Sequence, residues 1–225
     1  MTPRIAALVP MRHDSERVPG KNYRALGGRP LYHHIIEALL SSPEISEIVI
    51  DTDSPMIQAD AAGSFQAVTV LERPEHLRGG TVPMNDVLLN DVRRVAADLY
   101  LQTHSTNPLL RPATISLAIR TFLEGGDRYD SLFGVTRLQT RLWSADGMPL
   151  NHDPAVLLRT QDLPPVFEEN SCLYLFTRDL LEERGTRIGS RPLLFEIPPD
   201  EAWDIDEEID FEVATALYTA RAQHG

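Results

Sequence analysis

A chain of 225 residues with 21 basic and 33 acidic side chains carries a formal net charge of −12. That length suits one domain that buries roughly 70% of its unfolded surface without staples, and an apolar content of 42% excludes a disordered chain. The acidic balance argues against nucleic acid or an anionic membrane as the main partner, and a single cysteine, Cys172, excludes a disulfide framework and a multi-cysteine metal site.

No apolar run approaches the roughly 18–20 residues of a membrane span. The opening MTPRIAALVPMRH returns to charge too soon for a signal peptide. The expectation is a soluble, cytoplasmic protein.

Strand and helix patterns alternate along the chain. Ile5–Val9 reads as a strand and Pro30–Leu40 as a helix with Leu31, Ile35 and Ala38/Leu39 on one face. Glu47–Asp51 is a strand, Ser54–Ala62 a short helix capped through Asp53 or Ser54, and Ala67–Leu71 a third strand. Asn85–Ala97 repeats Val87, Leu88, Val92, Val95 and Ala96 at helical spacing. Leu99–Gln102 is a strand, Pro112–Leu123 a helix closed by Gly125-Gly126, and Ser131–Thr136 a strand. Residues 137–168 break the rhythm with Asp146-Gly147, Pro149, Pro154 and Pro164-Pro165, and read as a hairpin or extended excursion. Cys172–Thr177 is a strand, Arg178–Arg184 a short helix, and Leu193–Ile197 an edge strand. Ile209–Ala222 closes the chain as a helix with Ile209, Val213, Ala216/Leu217 and Ala220 aligned. The alternation implies an α/β fold with a mostly parallel sheet flanked by helices, one domain over 1–225, and ligands beyond the C-terminal strand ends.

Three loops placed after strands hold the chemistry. The first, Pro10–Asn22, is longer than the usual βα connection of about 2–6 residues. Residues 1–30 carry six basic groups and two acids, a local balance of +4 in an otherwise acidic chain. Lys21 is the only lysine among the 21 basic residues, which suits a position needing a compact ammonium. Arg12 and Lys21 can neutralise phosphate oxygens, Ser15 and Asn22 can donate hydrogen bonds, and Gly20 allows close backbone approach. Neither GxxxxGK[ST] nor GxGxxG is present. The second site is the acidic stretch Glu196–Glu212, nine acids and no base. Alternation puts Asp204 and Asp206 on one side, a spacing that suits an oxygen-preferring divalent cation such as Mg²⁺. A plain N-cap at Asp206, with Glu207, Glu208 and Asp210 complementing the helix dipole, accounts for the same residues. The third is Gln102–Arg111, QTHSTNPLLR, where Gln102, Ser105, Thr106 and Asn107 suit a sugar or a base, and His104 is a solvated histidine or a base.

These segments carry a resemblance. LVPMRHDSERVPGKN, GGRPLYHHIIEALL, EIVIDTDS, ERPEHLRGGTVPMNDVL, YLQTHSTNPLLRPATI, RTQDLPPVFEENSCLYLF and WDIDEEIDFEVATAL together resemble the acylneuraminate (CMP-sialic acid) cytidylyltransferases and the related CMP-ketodeoxyoctonate synthetases. The resemblance implies a Rossmann-like nucleotidyltransferase fold and a homodimer built with a projecting excursion, mapped to 137–168. It implies Mg²⁺, and attack of a sugar acid's anomeric hydroxyl on the α-phosphate of CTP. By motif it implies Arg12 and Lys21 at the triphosphate as the catalytic cations, Ser15 and Asn22 along the nucleotide, and Arg73 near base or ribose. It also implies Gln102, Arg141, Gln161 and Asn170 as sugar contacts, some from the dimer partner, and Asp204 and Asp206 at the metal. Gly80 and Pro83 depart from the residues common around Arg73. The QTHSTNPLLR loop is two residues longer than the commoner QPTSPLLR, and Asn170-Ser171-Cys172 stands where NGA is common. The competing readings are a sugar-1-phosphate nucleotidyltransferase of the same fold, a hydrolase or phosphatase, and a non-catalytic nucleotide-binding protein. A DxDx[TV]-like acid pair after the first strand is absent, which argues against an aspartyl-phosphate phosphatase.

Overall fold

The computed structural model describes residues 2–15 and 17–224. In chain order its strands are β1 (Ile5–Met11), β2 (Ala25–Leu26), β3 (Arg29–Pro30), β4 (Glu47–Thr52), β5 (Val68–Glu72), β6 (Leu99–Thr103), β7 (Ser131–Leu138), β8 (Val166–Phe176) and β9 (Pro192–Glu196). Its helices are α1 (Leu31–Leu40), α2 (Pro55–Ser64), α3 (Met84–Arg94), α4 (Pro112–Gly125), α5 (Arg178–Arg184) and α6 (Glu208–His224).

Seven strands form one sheet in the order β5-β4-β1-β6-β8-β7-β9. β5, β4, β1 and β6 run parallel, β8 is antiparallel to both its neighbours, and β9 is parallel to β7 at the edge. Every residue of β1 is buried, because the strand is central and covered on both faces. Ala7 and Val9 point to α1 and α4, packing with Ile35, Ile36, Ile115 and Ile119. Ala6 and Leu8 point to the other face, against Leu88 and Val92 of α3. A third cluster docks Phe211 and Ala214 of α6 on Leu26 and Leu31, with Ile205 inside it.

Three sequence expectations change. β7 and β8 are two arms that pair from Leu132↔Leu175 to Leu138↔Val166. The excursion is therefore the irregular connection between them, with a lone bridge at Trp143↔Pro149, and its pairing arms lie in the main sheet. Pro30 precedes α1 and does not belong to it. The inward face of α6 is Phe211 and Ala214 with the partly buried Tyr218, whereas Ile209 is 58% exposed. Apolar residues occur all round this helix, so spacing alone picked the wrong stripe. Among the described residues no helix is long and apolar enough to cross a membrane.

Candidate active site

β1 lies where the strand order reverses, with β4 on one side and β6 on the other, and a crevice opens there beyond the carboxyl ends. A cleft of about 450 Å³ occupies it. Pro10, Met11, Arg12, Asp14, Ser15, Arg17, Lys21 and Asn22 supply one wall. Arg73, Gly80, Val82, Met84 and Val87 line the β5–α3 side, and His104, Ser105, Thr106 and Ser171 the β6–β8 side. Asp204 and Asp206 border both this cleft and an adjoining recess of about 600 Å³, which also takes in Thr136, Glu169, Asn170 and Trp203.

The basic loop is held at both ends. Asp53 accepts from the His13 amide at 2.7 Å, and Ser54, which caps α2, meets the His13 ring at 2.8 Å. Asn22 donates to the Arg12 carbonyl at 2.9 Å and accepts from Ser105 at 2.7 Å, tying the loop to the one after β6. Gly20 has φ +65°, and a Cβ there would lie 2.7 Å from the Tyr23 ring. The local turn and that packing account for this glycine.

The first loop and the segment preceding α6 meet here. Ile205 is fully buried in the third cluster, its amide donating to the Thr106 carbonyl at 2.9 Å. The flanking Asp204 and Asp206 consequently border the cleft. Lys21 is 9% exposed and donates to the Ile205 carbonyl, with its ammonium 3.7 Å from Asp206. Arg17 pairs with Asp206 at 2.8 Å. Burial lowers the Lys21 pKa, and the charges of Asp206 and Asp204 oppose that shift. Burial raises the Asp204 pKa, and its Oδ1 is a buried oxygen with no hydrogen-bond partner. Asp206 does not cap α6; its amide and that of Glu207 donate to Asp210 at 3.0 and 2.8 Å.

Other sequence candidates are placed differently. Arg73 lines the cleft, yet its guanidinium is buried against Asp51. Gln102 is fully buried and does not line the cleft; it donates to the ring of His104 at 2.8 Å, and His104 forms the wall. Asn170 reaches the recess with its amide fixed between Thr136 and the Cys172 backbone, at 3.1 and 3.2 Å. Arg141 donates to the Leu158 carbonyl, and the Gln161 carbonyl accepts from Gln139 at 2.7 Å. Both therefore lie within the excursion, and neither lines the cleft or the recess.

Sequence reasoning missed two features. Asp91 sits on the apolar face of α3, four residues after Val87, fully buried beside Asp51. A carboxyl on an otherwise apolar stripe was the available signal. Ser171 has φ +57°, the one non-glycine residue at positive φ among the described residues. The NGA form that resembling proteins carry at this point was the clue, since it has glycine there.

The chain matches the family described as Cytidylyltransferase over residues 6–222. It is 28% identical over 217 residues to N-acylneuraminate cytidylyltransferase A of Danio rerio, covering 93% of this chain and 50% of that protein. This chain thus spans about half the length of that relative. It is 30% identical over 227 residues to the CMP-N,N'-diacetyllegionaminic acid synthase of Legionella pneumophila, covering 95% of this chain and 96% of the other. A solved CMP:2-keto-3-deoxy-manno-octonic acid synthetase complexed with CTP shares the fold with a TM-score of 0.72 at 17% identity, over 97% of this chain and 99% of that one. With a family match that runs from β1 into α6, the chain belongs to the cytidylyltransferase family.

Proposed function

We propose that this protein couples CTP to a 2-keto sugar acid of the sialic-acid type, releasing pyrophosphate. The observation that carries the reading is the meeting of Arg12 and Lys21 with Asp204 and Asp206 in one cleft of a cytidylyltransferase-family chain.

Nucleotidyl transfer asks mainly for alignment and charge neutralisation. The attacking anomeric oxygen, the α-phosphorus and the departing pyrophosphate oxygen must lie in line. Arg12 and Lys21 bind the triphosphate and offset charge that builds on it, a contribution worth several kcal/mol of barrier. Ser15 and Asn22 orient the nucleotide, and Arg73, fixed by Asp51, supports the wall beside base and ribose. Asn170 contributes to the acceptor recess. The donor set fits Mg²⁺: two carboxylates, one with an unpartnered buried oxygen, leave the remaining positions for phosphate oxygens and water. When bound, the cation supplies neutralisation of phosphate charge.

The protein acts as a homodimer in this reading. The excursion exposes Met148 (61%), Leu150 (62%) and Leu157 (89%), apolar side chains suited to burial against a second copy. Arg141 and Gln161, absent from their own cleft, are then free to serve the acceptor recess of the partner.

The test is pyrophosphate release from CTP and Mg²⁺ with a panel of free acids: N-acetylneuraminate, legionaminate, pseudaminate, ketodeoxyoctonate and an amino-substituted octulosonate. Release with at least one acid, abolished by EDTA and restored by Mg²⁺, is expected. Release only with a sugar 1-phosphate selects the other nucleotidyltransferase reading. Silence with both classes leaves a non-catalytic nucleotide-binding protein.

A further inference from the structure

His104 belongs to the stretch that is longer than the resembling form. Its ring is held from behind. The Gln102 carboxamide nitrogen lies 2.8 Å from His104 Nε2 and 3.3 Å from the Thr103 carbonyl. In this orientation of the carboxamide the NH₂ group faces both partners, and its oxygen, Oε1, is buried without a partner. An amide nitrogen has hydrogens and no free lone pair, so it donates to Nε2. Nε2 is therefore the acceptor nitrogen, and in a neutral imidazole the hydrogen resides on Nδ1. The ring stays neutral because burial, with Arg187 and Lys21 nearby, pushes its pKa down to about 3. Arg187 is itself fixed, with its guanidinium stacked 3.6 Å from the Tyr174 ring centroid.

Nδ1–H has no protein partner among the described residues, and it is not among the unpartnered polar atoms shut away from solvent. His104 lines the cleft, as does Ser171, which also borders the recess; His104 itself does not line the recess. Arg12, Gly80 and Met84 lie along the other walls. A donor at this wall is open to an oxygen of a molecule bound in the cleft. Gln102 is too deeply buried to fill that role itself.

We infer that His104 donates a hydrogen bond from Nδ1 to an oxygen of the acceptor sugar acid, and that Gln102 is the positioning residue that fixes the ring's tautomer. The inference rests on the transfer reading above and extends it to recognition of the acceptor.

Steady-state kinetics with CTP and the acid the panel selects provide the test. His104→Ala raises the KM of the acid by about tenfold or more, the loss expected for one donor to a substrate oxygen, and leaves the KM of CTP unchanged. His104→Asn, whose amide nitrogen overlies Nδ1, restores the acid KM. His104→Leu replaces the alanine variant in the comparison if the latter does not fold. Nitrogen-detected NMR of the imidazole finds Nε2 unprotonated in the wild type and protonated in a fraction of Gln102→Met. An unchanged acid KM in His104→Ala, an equal rise in the KM of CTP, or no rescue by asparagine overturns the role of His104. A ring that keeps Nδ1–H in Gln102→Met overturns the role of Gln102. Wild-type protein that turns over no acid removes the transfer reading and this inference together, whereas wild-type turnover with an unaltered variant removes only the inference.

Discussion

Lys21 shows how one side chain serves two purposes. Its ammonium closes the junction between the first loop and the WDID segment through the Ile205 carbonyl and Asp206. In the proposed reaction it is also a cation against the triphosphate. Truncation removes both, so the two need separate readouts. Lys21→Ala is expected to lower kcat by roughly 10²–10³-fold with its circular dichroism spectrum intact. Lys21→Met keeps the stem and its packing and should lose as much activity while melting closer to the wild type. Near-normal turnover in either variant removes Lys21 from the chemistry. At Ser171 the constraint is in the backbone. A non-glycine residue at φ +57° stores of the order of 1–3 kcal/mol, and a β-branched residue tolerates that region worst. Ser171→Val should therefore destabilise by roughly that amount, whereas Ser171→Gly should unfold no earlier than the wild type in denaturant. If both variants melt alike, the backbone is not what limits this position.

Between elements, the packing of α3 on β4 hides a titration. Asp91 of α3 and Asp51 of β4 face each other in the core, and Arg73 supplies one cation to the pair. Burial first, then the neighbouring Asp51 charge, pushes Asp91 up to about 8, and burial also raises Asp51. An unfolded aspartate titrates near 3.9. Between about pH 4 and 8 the folded chain thus holds a proton that the unfolded chain has lost, and stability falls as pH rises through that window. Asp91→Asn is permanently neutral and nearly isosteric. Denaturant unfolding from pH 5 to 8 should show a declining wild type and a flatter variant, and parallel curves would refute the shared proton. The same scale shows what the sequence makes legible. β1, β4 and β6 announce themselves because a strand covered on both faces is a continuous apolar run. The direction of β8 is not encoded in its own pattern, since CLYLF is apolar whichever way it runs. The α6 stripe was misread because its docking surface, Leu26 and Leu31 on the β2–β3 ribbon and α1, is remote in sequence. At the site, the cationic loop and the two aspartates were legible from charge and spacing. The turn of Gln102 away from the cleft was not, because it depends on which face of β6 meets α3.

At the scale of the whole molecule, the excursion is the part that this chain alone does not explain. β7 and β8 pair at its base in the sheet, while Trp143, Met148, Leu150, Val156 and Leu157 are exposed. An isolated chain gains nothing from presenting those side chains to water, whereas a second copy gains by covering them. The site argues in the same direction, since Arg141 and Gln161 line neither the cleft nor the recess of their own subunit. Sedimentation should give twice the 25.2 kDa of the single chain. Leu150→Glu combined with Leu157→Glu places two charges where an apolar contact is required and should yield the monomer. The monomer retains its own Arg12, Lys21, Asp204 and Asp206, so its affinity for CTP should persist. It would lose the side chains a partner supplies in the proposed dimer, so the KM of the acid should rise. Wild-type protein sedimenting as a monomer at micromolar concentration would end the dimer reading. A monomeric double variant with wild-type KM for the acid would keep the dimer and detach it from recognition of the acceptor.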